Sequence, residues 1–196
     1  GAAHEINNPL AVISGRAQLL LARATEPGEI ASLETIVQQS RRASKIITDL
    51  MQFARPEEPK LRPTRISQIL HETCAMMDDK LRERGIRLVE DYSDTAPLVD
   101  ADRHQMAMVF THLVSNAVTA MKDGGGVLTV RVKTGKDDRS VVVQVCDSGA
   151  GIAPEHLEHV FEPFFTTKGE DEPGTGLGLA VCHGIVERNH GSITLH

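Results

Sequence analysis

Apolar residues recur at Ile6, Leu10, Ile13, Ala17, Leu20 and Ala24, a 4-3-4-3-4 spacing. A second set follows at Leu33, Ile36, Ser40, Ala43, Ile47, Leu50 and Ala54, spaced 3-4-3-4-3-4. Heptad spacing of this kind predicts one apolar seam on each of two long helices, paired as an antiparallel hairpin over residues 1–54. Between them, Thr25–Glu29 contains Pro27 and Gly28, residues that interrupt helices. Two helices alone enclose little core. Pairing with the same hairpin of a second chain completes a four-helix bundle, so a homodimer through residues 1–54 is expected. The alternative is a hairpin packed on the rest of its own chain.

Residues 55–63 (Arg-Pro-Glu-Glu-Pro-Lys-Leu-Arg-Pro) carry no periodicity and three prolines, the composition of a semi-stiff linker. A second domain, residues 64–196, shows a mixed pattern. Ser67–Arg84 reads as helix and Ile86–Tyr92 as strand, and Asp102–Met121 is a strong helix stopped by Gly124-Gly125-Gly126. Val127–Lys133 and Ser140–Cys146 read as a strand pair, Gly176–Asn189 as a helix, and Gly191–His196 as the start of a further strand. From Ala150 to Gly174 the pattern lapses, as in a functional lid or a disordered loop. Helices and strands segregate without strict alternation, which favours an α+β fold with a sandwich as its second domain. A chain that starts three residues before His4 and stops on a fresh strand reads as a fragment, truncated at both ends.

Composition narrows the function. With no Trp, one Tyr and five Phe, the core must be aliphatic, and aromatic base-stacking platforms are excluded. The net charge of −6 supplies no basic field for a phosphate backbone, so no nucleic-acid partner is expected. Cys74, Cys146 and Cys182 are odd in number and sit in apolar or helical patterns, as small hydrophobes do in a reducing compartment. No apolar run reaches the ~18 residues of a membrane span. A cytoplasmic fragment without direct membrane contact is expected, although its parent could carry a membrane anchor upstream.

Four segments carry chemistry. In His4-Glu5-Ile6-Asn7-Asn8-Pro9-Leu10, the seam through Ile6 and Leu10 leaves His4 outward, with Asn8 one turn along the same face. An exposed neutral imidazole suits a phosphoryl acceptor, and Glu5 is a carboxylate able to take its proton. A solvated surface histidine is the plainer alternative. In His112-Leu-Val-Ser-Asn116-Ala, the Asn116 amide can ligate Mg²⁺ or donate to phosphate, with His112 one turn earlier; a polar helix stripe would look the same. Asp147-Ser-Gly149-Ala-Gly151 follows a strand and joins a carboxylate to bare backbone, as a nucleotide site or a simple turn would. Gly174-Thr175-Gly176-Leu177-Gly178 opens a helix whose first N–H groups can bind phosphate. It lacks the Lys-Ser/Thr of a Walker loop and the spacing of the dinucleotide fingerprint. Ahead of it, Phe161–Lys168 sets aromatic residues before a lone cation.

In order and spacing these segments resemble the sensor histidine kinase family. His4-Glu5 is similar to its H box, His112–Ala117 to the N box, Asp147–Gly151 to the G1 box, Phe161–Lys168 to the F box and Gly174–Gly178 to the G2 box. The His4–Leu10 and Phe161–Lys168 segments look most like the nitrogen-regulator subgroup. The resemblance implies a dimerisation and histidine-phosphotransfer domain followed by a Bergerat-type ATP-binding sandwich with a mobile lid. It implies ATP and Mg²⁺ as cofactors, and a response-regulator receiver domain as partner. By the same resemblance Asp147 contacts the adenine amine, Asn116 ligates Mg²⁺, and the Gly174–Gly178 backbone cradles phosphates, with Gly149, Gly151, Lys168, Thr175 and Leu177 in the ATP site. Glu5 assists His4, and Asn8 positions water for dephosphorylating the regulator. One position departs: the usual first N-box Asn is His112, where heat-shock chaperone and gyrase ATPases have a catalytic Glu. The imidazole can still donate to phosphate, and the missing Glu argues against a hydrolytic ATPase. A pseudokinase scaffold and a phosphatase-dominant protein are the rival readings.

Overall fold

A computed structural model describes residues 2–93, 95–121, 124–167 and 174–195, the side chains of residues 2–4 excepted. The chain divides into two compact units, one of residues 1–57 with 164–177, the other of residues 58–163 with 178–196.

In the first unit, α1 (Ala2–Leu21) and α2 (Pro27–Ala54) form the expected hairpin. α1 runs through Pro9 without ending. α2 begins earlier than the breaker residues suggested, because Pro27 occupies its first turn, where a missing N–H costs nothing and a fixed φ already suits the helix. The seam is also rotated from the expected one. Ala17, Leu33 and Val37 are its buried centre, with Leu21 and Ala24 packed against them. Ile6, Ile13 and Leu20, assigned to the seam from spacing, are instead 47%, 48% and 56% exposed. Each helix therefore has two apolar stripes, and spacing alone merged them: one closes the hairpin and the other is left open, with Ile36, Leu50 and Phe53 exposed on α2.

In the second unit, β1 (Arg62–Thr64) pairs antiparallel with β3 (Val99–Ala101), so the end of the Pro-rich stretch is already strand. The expected helix over Ser67–Arg84 is two, α3 (Ile66–Met76) and α4 (Asp78–Glu83), broken at Met77, which has φ −104° and ψ 3°. β4 (Gly126–Thr134) lies between β2 (Ile86–Tyr92), parallel to it, and β5 (Val141–Asp147), antiparallel. The parallel pair needs a crossover, and α5 (Arg103–Ala120) lies within it. α6 (Gly178–Arg188) completes the helical layer.

One core joins these layers. α3 contributes Ile69, Leu70 and Cys74, α5 contributes Val109, Val114 and Val118, β4 contributes Leu128, Val130 and Val132, and α6 contributes Val181, Cys182 and Ile185. The alternation in β4 directs its valines and leucine to the helices, as period 2 requires. Burial, followed by the charge of Glu90, pushes the Cys74 thiol up to about 11, so it acts as a hydrophobe. Cys146, expected in an apolar setting, is exposed on β5. Among the described residues no helix is long and apolar enough to cross a membrane.

The ends of α5 and α6 are tied together. Asp102 caps α5, its Oδ1 accepting the N–H groups of His104 at 2.8 Å and Gln105 at 3.0 Å. Its Oδ2 accepts the Lys60 N–H at 2.8 Å, and its own N–H donates to Asn189 Oδ1 at 2.8 Å. The Asn189 amide donates to Gln105 Oε1 and to the Ile185 carbonyl. α6 then stops in a Schellman turn: His190 adopts φ 60°, and Gly191 N–H donates to the Val186 carbonyl at 2.9 Å. The strand expected at Gly191–His196 is not found among residues 191–195, and the first N–H of that segment closes the helix.

Burial works to raise the Asp102 pKa, but the N–H groups of Lys60, Gln105 and His104 outweigh it and leave the carboxyl below its ordinary range. A depressed folded-state pKa means stabilisation that is present above the ordinary carboxylate pKa and lost as pH falls through the lowered value. Asp102→Ala should lower stability in chemical denaturation at pH 7 by about 1–2 kcal/mol. The difference from wild type should shrink as the titration is repeated in acid, and a constant difference down to strongly acid pH would contradict the assignment.

Candidate functional site

α5 organises the nucleotide-type segments of the second unit. Asn116 is half-buried one turn before its end, and Asp147 is the exposed last residue of β5. The loop after Asp147 is fastened to the α5 terminus: Ala150 N–H donates to the Ala120 carbonyl at 3.3 Å. Gly149 lies so close there that a Cβ would stand 2.6 Å from the Ala120 oxygen. Only glycine fits. Gly151 has φ 73°, a conformation that also favours glycine. Asp147 Oδ1 accepts the Gly149 N–H at 2.9 Å, which fixes the carboxylate at the strand end. Ser148 Oγ accepts the Val127 N–H at 2.9 Å and anchors the loop to β4.

His112, midway along α5, is 9% exposed. A Cβ on Gly178 would sit 3.3 Å from its Nδ1, so the imidazole lies directly beneath the first residue of α6. His112 thus supports the start of a helix whose N–H groups are the phosphate-binding candidates. Phe161 stacks on α6 as well, its ring 5.2 Å from that of His183. A neighbouring His159–Glu162 pair, 2.8 Å apart, raises the His159 pKa through its hydrogen bond.

The first unit holds the other two segments. Glu5 and Asn8 are exposed on α1; the His4 side chain lies outside the described residues. Asn7, which the sequence reading gave no role, donates from Nδ2 to Thr48 Oγ1 on α2 at 3.3 Å. Within residues 164–177, Phe164 N–H donates to the Gly176 carbonyl at 3.0 Å. Gly176 has φ 66° and packs so tightly that a Cβ would be 2.4 Å from the Phe164 carbonyl carbon. Phe164 itself has φ 68° and is 63% exposed, so it is a backbone clasp here and not a buried anchor. Thr175 Oγ1 accepts the Leu177 N–H at 3.1 Å and donates to Asp49 Oδ2 on α2 at 3.3 Å. Asp49 was missed because an acid inside an amphipathic helix pattern looks like a solvated position. Lys168 lies outside the described residues.

No cluster of three His, Cys, Asp or Glu among the described residues could hold a metal by itself. Mg²⁺ does not require one, since it keeps several waters and takes most other ligands from substrate phosphates. A half-buried amide oxygen such as that of Asn116 is chemically suited to that minor share.

Comparison with known proteins agrees with this geometry. The His Kinase A (phospho-acceptor) domain matches residues 1–59, and the Histidine kinase-, DNA gyrase B-, and HSP90-like ATPase family matches residues 101–196. The sensor histidine kinase ZraS of Escherichia coli (strain K12) is 34% identical over 194 residues, 98% of this chain and 40% of the relative. Sporulation kinase A of Bacillus subtilis (strain 168) is 34% identical over 98% of this chain and 31% of its own length. The chain thus spans less than half the length of these relatives. Full-length ShkA, solved with AMPPNP, superposes with a TM-score of 0.75 at 26% identity, covering 95% of this chain and 40% of that one. ThkA, solved with the response regulator TrrA, gives 0.65 at 26% identity over 97% of this chain and 54% of that one. With a phospho-acceptor hairpin followed by an ATPase domain of this type, the chain belongs to the histidine kinases and forms a catalytic core of that family.

Proposed function

We propose that this core transfers the γ-phosphoryl group of ATP to His4 and then to an aspartate of a response regulator. The observation that carries the reading is the convergence of three segments on α5. Asn116 sits on it, the Asp147–Gly151 loop is fastened to its end, and Gly178 rests on His112 in its middle. The complexes of ShkA with AMPPNP and of ThkA with a response regulator support the nucleotide and the partner.

In this reading Asp147 accepts from the adenine amine, with one carboxylate oxygen already fixed by Gly149 N–H. Asn116 would hold Mg²⁺ through its amide oxygen, and the ion would supply charge neutralisation on the phosphates. The backbone of Gly174–Gly178 and Lys168 take the phosphate oxygens. A ring nitrogen of His4 attacks the γ-phosphorus, the bond to the ADP oxygen breaks, and Glu5 takes the ring proton. His112 contributes by shaping the start of α6 rather than by reaching phosphate. Burial beneath Gly178 gives that substitution a packing role compatible with kinase activity. Asn8, exposed on α1, is the residue to orient water when the regulator is dephosphorylated.

Dimerisation through residues 1–54 is supported by the open stripe of Ile6, Ile13 and Leu20 on α1 with Ile36, Leu50 and Phe53 on α2, since monomers rarely expose contiguous apolar faces. The domain division we propose is 1–54, a linker over 55–63, and 64–196. A cytoplasmic setting is part of the proposal, supported by the odd number of cysteines, which suits a reducing compartment. Placement in the nitrogen-regulator-like subgroup rests on the His4–Leu10 and Phe161–Lys168 segments.

Incubation with γ-labelled ATP should label the wild type with an acid-labile, base-stable phosphoryl group, and His4→Ala should carry none. Acid-stable label, or label persisting in His4→Ala, overturns the assignment. Asn116→Ala should weaken Mg-ATP binding by about tenfold or more, a loss of roughly 1.4 kcal/mol, measured by calorimetry. Unchanged affinity would remove the metal role. Ile13→Asp, placing a charge in the open stripe, should shift the light-scattering mass from dimer to monomer. A dimer as tight as wild type would locate the interface elsewhere.

A further inference from the structure

Asp49 is 3% exposed, an unusual depth for a carboxylate on a two-helix hairpin. Its Oδ2 accepts from Thr175 Oγ1 at 3.3 Å and from Lys45 Nζ at 3.3 Å, and the lysine remains largely in solvent. Thr175 is the second residue of the Gly-rich turn, and its hydroxyl oxygen also accepts the Leu177 N–H at 3.1 Å. The same turn is closed from its other side by the bond from Phe164 N–H to the Gly176 carbonyl. Three things therefore coincide at a turn whose chemistry suits phosphate. The single hydroxyl proton of Thr175 is committed to Asp49. One of the turn's N–H groups is committed to Thr175. A carboxylate lies 3.3 Å from the hydroxyl that faces it from the turn.

We propose that Asp49 is an intrachain competitor of nucleotide phosphate, holding the Gly174–Leu177 turn on α2 through Thr175 until ATP displaces it. The inference rests on the nucleotide-binding reading of that turn and adds what sets its affinity. A hydroxyl with one proton cannot donate to a carboxylate and to a phosphate oxygen at once. Two like charges at such separation repel. Release of the turn from α2 is then linked to nucleotide binding, and linkage makes the effect reciprocal: whatever moves α2 alters ATP affinity.

The test uses the whole chain and trinitrophenyl-ATP with Mg²⁺. Asp49→Asn keeps an acceptor oxygen and removes the charge, so it should bind the analogue about 3- to 10-fold more tightly than wild type. Lys45→Met, which unmasks the carboxylate, should bind about 2-fold more weakly. In nucleotide-free protein, amide exchange of a peptide covering residues 174–180 should be faster in Asp49→Ala than in wild type, with melting temperature recorded alongside. Equal or weaker binding by Asp49→Asn at an unchanged melting temperature overturns the proposal, as does tighter binding by Lys45→Met. Should wild type fail to bind the analogue, the nucleotide-binding reading falls by itself. The exchange measurement then decides the Asp49–Thr175 tie separately, and unchanged exchange in Asp49→Ala overturns it.

Discussion

Burial of one face of α5 is the constraint on which the second unit depends. Val109, Val114 and Val118 fill the space between α3, α6 and the sheet, and once they are in place the helix cannot rotate or slide. Everything polar on α5 is then positioned by default. Asp102 at its start receives the incoming chain at Lys60 and the end of α6 through Asn189. The carbonyl of Ala120 at its end receives the loop after Asp147. A hydrophobic helix thus sets the relative placement of three polar segments far apart in sequence.

Glycines complete that placement where side chains would prevent it. Gly149 permits the loop to lie on the α5 terminus, and Gly178 permits α6 to begin over His112. Gly176 does the same against Phe164 in the first unit. The Gly-rich segments are therefore explained first by close backbone approach. In the proposed function, phosphate would meet the bare N–H groups that such approach leaves behind. His112 shows the same economy, its buried ring lying directly against the first residue of α6.

The hairpin follows another logic. Its two helices carry more apolar surface than one hairpin can bury, so the excess stays outside as a second stripe. A seam containing Asn7, Ser40 and Asp49 beside Leu33 and Val37 is not a pure hydrophobic contact either. Thr48 accepts from the Asn7 amide nitrogen, and Thr175 donates to Asp49. Asp49 thereby belongs to the hairpin seam and also holds Thr175 of the Gly-rich turn.

Local rules made much of this legible in the sequence. Periodicity marked both long helices, start and stop residues marked α5, alternation marked β2 and β4, a β-rich run marked β5, and the five ordered motifs pointed to the chemistry, because each depends on residues close together in the chain. Periodicity could not separate two apolar stripes on one helix, since both repeat every seven residues and only the partner surface tells them apart. The three-residue strands β1 and β3 were equally invisible, being held by each other rather than by propensity. The strand expected at Gly191 is absent among residues 191–195, where the Gly191 N–H caps α6. Tertiary structure alone decided that His112 would be buried beneath Gly178 and that Asp49 would meet Thr175. Such contacts join positions 66 and 126 residues apart, and no local pattern encodes which distant backbone a side chain will face.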